Sequence, residues 1–246
     1  MKKAIVVGAS SGMGREVARL LLARGWQVGV AARRADELER LRAEYPEQTS
    51  VAVIDVTDDA AADQLLDLAD RMGGMDLYFH SAGIGKQNPA VDADIELRTV
   101  ATNGMGFTRM IDAAFAYMAA HGGGHIAAIT SVAGTKGLGV APSYSATKAF
   151  QNTYLQALEQ LANMRRLGIR FTDIRPGFVA TDLLDGQHHY PMLMPVQATA
   201  RQIVKAVTAG RHVAVVDWRY RAMVALWRRV PRCIWRHLPI KAKDVK

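Results

Sequence analysis

The chain has 246 residues, of which half are apolar, and a formal net charge of +8 at pH 7. This length and composition place it among soluble globular proteins with one substantial core. The single cysteine, Cys233, excludes an intrachain disulfide and fits a reducing compartment. The apolar run after Met1-Lys2-Lys3 is too short for a signal peptide, so we predict a cytoplasmic protein.

The positive charge is concentrated at the C-terminal end of the chain. From Arg211 onward there are ten Lys/Arg and two Asp/Glu, whereas residues 1–210 carry 21 of each sign. No recognition-helix or RNA-stacking motif accompanies the basic residues, so the sequence predicts no nucleic-acid partner.

Apolar runs of strand length alternate with helix-length segments up to residue 217. The strand-like runs are Ala4–Val7, Gln27–Ala32, Ser50–Asp55, Asp76–His80, His125–Thr130, Ile169–Ile174 and His212–Asp217. The helix-like segments are Gly14–Arg24, Ala35–Glu44, Asp58–Met72, Thr99–Ala120, Tyr144–Arg166 and Val196–Ala209. This alternation predicts the α/β class, a Rossmann fold with a doubly wound seven-stranded parallel sheet and helices on both faces. No repeat or linker divides the chain.

A glycine-rich turn connects the first predicted strand to the first predicted helix. It reads Gly8-Ala9-Ser10-Ser11-Gly12-Met13-Gly14. Such a turn exposes backbone N–H groups at a positive helix terminus, which suits the pyrophosphate of a dinucleotide. A structural turn that binds nothing is the alternative.

The end of the second strand indicates which dinucleotide is bound. Here Ala32 stands where an acidic side chain would contact the ribose hydroxyls of NAD(H). The next residue, Arg33, with help from Ser10, Arg15 or Arg34, can instead bind a 2′-phosphate. We therefore predict NADP(H) in preference to NAD(H), with solvated loop arginines as the alternative. The pair Asp55-Val56, which ends the third predicted strand, is predicted to border the adenine.

A serine, a tyrosine and a lysine form the predicted catalytic group. The apolar run Ile126–Thr130 ends at Ser131, and Tyr144 opens a helical segment in which Lys148 follows at i+4. Residues at this spacing lie on one helix face, so the ammonium can favour the ionised phenol. Strand ends and helix starts meet at the crevice where open α/β sheets bind ligands. The sequence therefore predicts Tyr144 as a proton donor, rather than a core tyrosine near a surface serine.

Over about residues 1–217 these motifs resemble the short-chain dehydrogenase/reductase family, in its compact single-domain form. The family's four catalytic positions fall on Asn103, Ser131, Tyr144 and Lys148. Its glycine motif matches Gly8, Gly12 and Gly14, its Pro-Gly motif matches Pro176-Gly177, and its nicotinamide-contacting threonine falls on Thr181. Together with the residues argued above, the predicted cofactor site comprises Gly8, Ser10, Ser11, Gly12, Met13, Gly14, Arg33, Arg34, Asp55, Val56, Ser81, Ala82, Gly83, Tyr144, Lys148, Pro176, Gly177, Val179 and Thr181. The family's Asn-Asn-Ala-Gly signature reads His80-Ser81-Ala82-Gly83, and we interpret His80 as a structural histidine.

The resemblance implies an NADPH-dependent oxidoreductase that interconverts a carbonyl and a secondary alcohol. In that reaction Tyr144 donates the proton and Ser131 hydrogen-bonds the same oxygen. The resemblance further implies that Lys148 binds the nicotinamide ribose and lowers the phenol pKa, and that Asn103 holds a water linking Lys148 to solvent. It also implies a homodimer or homotetramer. No metal site is predicted.

The segment 181–196 lies where the family carries its substrate lid. Its leucines and methionines favour an apolar carbonyl substrate, although they can equally pack on the sheet.

Residues 218–246 form a basic extension. A predicted apolar helical stripe consists of Tyr220, Met223, Leu226, Trp227 and Val230. Segment 218–240 would then contact an anionic membrane at its inner face, or pack on its own domain or a neighbouring subunit. The apolar lid and this extension together suggest an alternative function, a 3-keto lipid or steroid reductase at a membrane surface. A separate alternative is a non-enzymatic NADP(H)-sensing regulator built on the same fold.

Overall fold

Seven parallel strands form the central sheet of the computed structural model, in which residues 1–184, 188–240 and 243–244 are described. The strands are β1 (Lys3–Val7), β2 (Gln27–Ala32), β3 (Thr49–Val53), β4 (Leu77–His80), β5 (Gly124–Ile129), β6 (Ile169–Arg175) and β8 (Val213–Val215). Their order across the sheet is β3-β2-β1-β4-β5-β6-β8. A short antiparallel pair, β7 (His188–His189) with β9 (Lys243–Asp244), lies outside this sheet.

Helices cover both faces of the sheet, which confirms the predicted doubly wound fold. They are α1 (Gly12–Leu22), α2 (Ala35–Glu44), α3 (Ala61–Arg71), α4 (Ala93–Val100), α5 (Phe107–Ala120), α6 (Pro142–Met164), α7 (Val196–Thr208), α8 (Trp218–Arg229) and α9 (Arg232–Trp235). A π-helical turn, Ala101–Gly106, joins α4 to α5, and a 3-10 turn, Val132–Thr135, precedes α6.

The central strand β1 is buried on both faces, which explains why its sequence is a continuous apolar run. Ala4 and Val6 face the core under α1, α7 and α8, whereas Ile5 and Val7 face the core under α3, α5 and α6. All four side chains are fully buried, as expected for a parallel strand covered on both faces. Burial of one such valine or isoleucine contributes about 1.5–3 kcal/mol, so the strand is held from both sides.

The chain order of the strands places a crevice at the carboxyl end of β1. The sheet grows from β1 through β2 on one side and through β4 on the other. Backbone bonds tie the loops to this point, since the N–H of Gly8 donates to Ala31 and that of Ser81 donates to Val7. Ligands of open α/β sheets bind at such a switch point.

Several element boundaries differ from the predicted ones. The strand β3 ends at Val53, so Asp55 and Val56 lie in the following loop. The predicted helix 99–120 is interrupted by the π-helical turn. Helix α6 begins at Pro142, whose missing N–H is tolerated in a first turn, and Tyr144 therefore lies within that turn.

The predicted apolar stripe of α8 is partly wrong. Tyr220 and Val224 are buried in the core shared with α1 and α7, whereas Leu226 is 65% exposed. Tyr220 and Val224 are four residues apart and therefore lie on one face of the helix, which packs on the core. The predicted stripe through Leu226 lies on a face that is turned away from the core. Helix α8 thus packs on the body of the protein. Among the described residues, no helix has the length and apolar character to span a membrane.

Candidate active site

The glycine turn after β1 fits closely against the loop after β4. Gly8 has φ +88°, and a Cβ there would lie 2.5 Å from the backbone nitrogen of Ala82. A Cβ on Gly14 would lie 2.2 Å from the carbonyl oxygen of Gly8. Only glycine permits these approaches, so the backbone itself lines the crevice.

The N-terminus of α1 opens toward that crevice. Ser11 is extended and its side chain makes no capping hydrogen bond, so the first N–H groups of the helix are left for another partner. Met13, in contrast, packs against the core. A Cβ on Gly12 would lie 3.2 Å from Cγ2 of Thr181, which brings the start of the predicted lid to the glycine turn. This cradle of bare backbone fits a dinucleotide pyrophosphate.

The arginines after β2 differ in what they contact. Nη2 and Nε of Arg34 lie 3.0 and 3.3 Å from the hydroxyl of Ser10. The side chain of Arg33 is 70% exposed, and its Nη1 lies 4.0 Å from the carboxylate of Asp55, which is too far for a hydrogen bond. The third candidate, Arg15, is paired with Glu37 at 2.9 Å. The arginine that contacts Ser10 is therefore Arg34, whereas the sequence favoured Arg33 as the main residue for a 2′-phosphate.

The two predicted adenine-side residues have different surroundings. Asp55 accepts hydrogen bonds from the N–H and hydroxyl of Thr57. Burial raises the pKa of its carboxyl, but these bonds and the charge of Arg33 outweigh that effect and lower the pKa. Val56 is buried, and its carbonyl lies where a Cβ on Gly106 would clash.

His80, at the end of β4, is a buried structural residue. Its Nδ1 hydrogen-bonds the hydroxyl of Tyr78 at 2.8 Å, and its ring meets Phe107 edge to face. Burial, together with the charge of Lys148, lowers the His80 pKa to about 3. The imidazole is therefore neutral at any physiological pH, as the interpretation of a structural histidine requires.

Ser131 and Tyr144 meet at the carboxyl end of β5. Ser131 is buried, accepts a hydrogen bond from the N–H of Ala133 and is hydrogen-bonded to the phenol of Tyr144. The ring of Tyr144 lies against the loop after β4, because a Cβ on Gly85 would be 2.6 Å from its Cε2. Gly85 carries no motif, so the sequence did not single it out.

The pKa of Tyr144 contradicts the expectation that the phenol is acidified. Burial raises it, and the hydrogen bond from Ser131 only partly offsets that effect. The spacing of Tyr144 and Lys148 is as predicted, with Nζ 5.7 Å from the ring centroid. Burial outweighs the neighbouring ammonium because the phenolate would itself need solvation.

Lys148 lies on the side of Tyr144 that faces the sheet. Its ammonium donates to the carbonyl of Ile129 at 3.2 Å and to Oε1 of Gln151 at 3.0 Å. Burial lowers the Lys148 pKa to about 8, while the carboxylate of Asp173 opposes that shift. The group is therefore mostly charged at pH 7 and loses its charge above about 8.

Asn103 is fully buried in the π-helical turn. Its side chain holds the loop after β4, since Oδ1 accepts from the N–H of Ile84 and Nδ2 donates to the Ile84 carbonyl. Its own carbonyl accepts from Nε2 of Gln151 at 2.8 Å. That Asn103 holds a water stays a prediction, and a water bound at this carbonyl would share it with Gln151. Sequence motifs missed Gln151, although its i+3 spacing from Lys148 places both on one helix face.

The loop after β6 is held by α8. Pro176 accepts from the N–H of Val132 through its carbonyl, and a Cβ on Gly177 would lie 2.0 Å from Cζ of Tyr220. The hydroxyl of Tyr220 accepts from the N–H of Phe178 and contacts the carbonyls of Pro191 and Met192. Tyr220 thus joins the loop just before the predicted lid to the second half of the lid.

A buried strand-like contact ties the lid to the residues before it, and the lid also has exposed apolar side chains. Val179 and Met194 are bridged and buried in the core, whereas Leu183 and Leu193 are exposed. Met194 of the lid therefore packs on the core, as one interpretation expected. That Leu183 and Leu193 contact an apolar substrate stays a prediction. Residues 185–187 of the lid lie outside the described part of the chain.

The segment after α8 contacts the loop that follows Ser131. Nζ of Lys136 donates to the carbonyl of Val230, and the indole N–H of Trp235 donates to the carbonyl of Gly137. Trp235 also packs edge to face with Trp227. The extension therefore touches both loops beside the candidate site.

Comparison with known proteins identifies the sequence family. A family model of the short chain dehydrogenases matches residues 2–190. An uncharacterized oxidoreductase of Myxococcus xanthus is 32% identical over 239 residues, covering 94% of this chain and 93% of the relative. An uncharacterized oxidoreductase of Mycobacterium tuberculosis is 33% identical over 247 residues, covering 94% and 95%.

Solved structures share the fold at lower identity. A short chain dehydrogenase from Burkholderia cenocepacia in complex with NADP is 20% identical, with a TM-score of 0.83 over 98% of this chain and 100% of that one. The structure of ElxO with NADP bound is 21% identical, with a TM-score of 0.79 over 90% and 99%. Members of the short-chain dehydrogenase family use NAD(P). Because the family model matches most of its length, this chain belongs to the short-chain dehydrogenases and is an oxidoreductase of that type.

Proposed function

We propose that this protein reduces the carbonyl group of an apolar small molecule, or oxidises the matching secondary alcohol, with NADP(H). The observation that carries the proposal is the convergence of Ser131, Tyr144 and Lys148 beside the glycine turn. Lys148 lies near the loop that closes this turn, since a Cβ on Gly83 would be 3.6 Å from its Nζ.

The chemistry follows from the protonation states of these side chains. The bound nicotinamide would supply a hydride, and the turn Gly8–Gly14 with Ser81, Ala82 and Thr181 would hold the cofactor. Because its pKa is raised by burial, the phenol of Tyr144 carries its proton at neutral pH and can give it to a developing alkoxide. Ser131 is placed to hydrogen-bond the same oxygen.

Lys148 provides a positive charge next to this proton transfer. The ammonium stabilises the phenolate that remains after Tyr144 has given up its proton. With a Lys148 pKa of about 8, that support is present at pH 7 and is lost as the pH rises above 8. The rate of reduction should therefore fall on the alkaline side.

NADPH oxidation over a panel of medium- and long-chain keto compounds, simple aldehydes and diketones tests the proposal. Turnover should favour apolar ketones, since Leu183 and Leu193 expose large apolar side chains on the lid. Binding of NADPH without turnover of any compound would instead favour the regulatory alternative.

The preference for NADPH is part of the same proposal and rests on Arg34. Arg34→Ala should raise KM for NADPH by about 10- to 100-fold and leave KM for NADH nearly unchanged, because a hydrogen bond to a charged group contributes about 1.5–3 kcal/mol. Steady-state kinetics with both cofactors measures this. Arg24→Ala, which changes an exposed arginine in the turn after α1, is the matched control. Equal KM values for both cofactors in the unaltered protein would contradict the preference.

We also propose a homo-oligomer that covers an apolar hollow between the π-helical turn and α6. Val100, Met105 and Phe150 line it, and each is more than two-fifths exposed. Light scattering should give a multiple of the 26.8 kDa chain mass. Met105→Glu should reduce that mass, whereas Met164→Glu, at the exposed end of α6, should not. A monomeric unaltered protein would contradict the proposal.

A membrane-surface reductase is the second candidate, favoured by the exposed side of the extension. Trp218, Leu226, Ile234 and Leu238 are all exposed, as are the neighbouring Arg221, Arg228, Arg229, Arg232 and Arg236. Tryptophan with arginine suits an anionic interface, here at the cytoplasmic side of a membrane.

Flotation with anionic and with neutral liposomes tests this candidate. Because Tyr220 is buried, truncation would disturb the core, so the variant is Trp218→Ser with Leu226→Ser. The unaltered protein should float with anionic liposomes only, and the double variant should stay in the soluble fraction. Equal flotation of both proteins would remove the candidate. Val91→Ser with Leu97→Ser, exposed residues around α4, is the matched control.

A further inference from the structure

We propose that Gln151 is a positioning residue of the active site, whose side-chain amide bridges the Lys148 ammonium and the backbone carbonyl of Asn103. The inference rests on the proposed role of Lys148. It adds to the four catalytic positions a fifth side chain that acts through one of them.

The geometry of the bridge admits only one orientation of the amide. Oε1 of Gln151 lies 3.0 Å from Nζ of Lys148, and Nε2 lies 2.8 Å from the carbonyl oxygen of Asn103. An ammonium can only donate and a carbonyl can only accept, so the oxygen must face Lys148. All three residues are at least 95% buried, so water competes little for these bonds.

The π-helical turn changes the backbone hydrogen bonds around the carbonyl of Asn103. In a regular α-helix that carbonyl would accept from the N–H of Phe107. Here the N–H of Phe107 pairs with the carbonyls of Thr102 and Gly104 instead. Gln151 donates to the Asn103 carbonyl, which links the irregular turn to α6 and to the lysine. Such turns are frequent at functional sites.

Three titratable groups face Lys148 from the elements around it. Tyr144 lies on the same helix, His80 lies on β4 and is held neutral, and Asp173 on β6 raises the Lys148 pKa. Gln151 is an uncharged acceptor within this group. Replacing it with a carboxylate adds a second negative charge, and replacing it with an apolar side chain removes one hydrogen bond from the ammonium.

The two replacements should therefore move the lysine in opposite directions. Gln151→Glu should raise the Lys148 pKa by about 1, and Gln151→Leu should lower it by about 1. Since reduction needs the ammonium, the alkaline fall in kcat should move to higher pH in the first variant and to lower pH in the second. A residue that only supports packing would lower kcat at every pH without moving the profile.

The test measures the lysine directly and does not depend on turnover. NMR of protein labelled with 13C at lysine Cε follows the titration of Lys148, whose resonance is assigned by its loss in Lys148→Met. Gln156→Glu and Gln156→Leu, on the exposed side of α6, are the matched controls and should titrate like the unaltered protein. Opposite movements of the Lys148 titration in the two Gln151 variants would support the proposal.

An unmoved titration in both variants would overturn the role of Gln151. If Gln151→Leu does not fold, Gln151→Glu still keeps an oxygen on Lys148 and decides the question through its upward movement. Failure of every carbonyl compound to be reduced would count against the proposed function. The NMR result would be unaffected by that failure, so the two outcomes are distinguishable.

Discussion

Replacing Tyr144 with phenylalanine is expected to lower kcat for carbonyl reduction by about a thousand-fold, because the phenol is the group placed to donate the proton. The change removes one oxygen and keeps the ring that lies against Gly85. The fold and the cofactor cradle should therefore survive. Stopped-flow and steady-state measurements of NADPH oxidation give the loss of rate, and calorimetry gives the affinity for NADPH.

Two controls separate loss of the proton donor from general damage. Tyr154→Phe makes the same change on the same helix, where the lost hydroxyl bonds Asp112 instead of Ser131, and it should keep nearly full activity. The Tyr144 variant should bind NADPH within about threefold of the unaltered protein, which is less than the worth of one hydrogen bond. Near-normal turnover by Tyr144→Phe would exclude the phenol as the proton donor.

Motif spacing was sufficient to predict that Ser131, Tyr144 and Lys148 lie close together. Ser131 follows a buried strand and Tyr144 lies in the first turn of the next helix, so the parallel sheet brings them to one edge. The i, i+4 spacing likewise places Lys148 beside the tyrosine ring. These predictions depend only on the fold class and on helix geometry, both of which the apolar pattern reveals.

Motif spacing could not predict the properties that depend on burial. The tyrosine pKa is set first by desolvation, which a residue separation does not contain. The break between α4 and α5 was hidden because the apolar residues around Asn103 continue a helical pattern across it. Gln151 was hidden for a different reason, since a glutamine on a helix matches no motif and its role appears only from its two partners.

The remaining differences between prediction and structure concern which of several nearby side chains makes a contact. Arg33 and Arg34 are adjacent in sequence, and only the direction of the chain after β2 brings Arg34 to Ser10. In α8, stripes through Val224 and through Leu226 fit a helical period about equally well, and contact with the sheet decides between them. Both choices are made by tertiary packing rather than by the local sequence.

Replacing Gly14 with alanine is expected to weaken NADPH binding by at least about tenfold and to destabilise the fold. The new Cβ would lie 2.2 Å from the carbonyl oxygen of Gly8 and 2.9 Å from its carbonyl carbon, so backbone must move. Alanine gains about 1 kcal/mol over glycine as a helix former. Forcing a buried contact of this kind costs about 1–3 kcal/mol, which outweighs that gain.

The movement matters for function because the glycine turn and the N-terminus of α1 must keep their spacing to hold a pyrophosphate. Calorimetric titration with NADPH and thermal unfolding measure the two effects. Gly139→Ala is the control, because Gly139 is exposed and its Cβ would meet no atom within 4 Å. Unchanged affinity and unfolding temperature in Gly14→Ala would mean that α1 can shift without cost. In that case the close fit between the glycine turn and the helix would not be the feature that prepares this crevice for a dinucleotide.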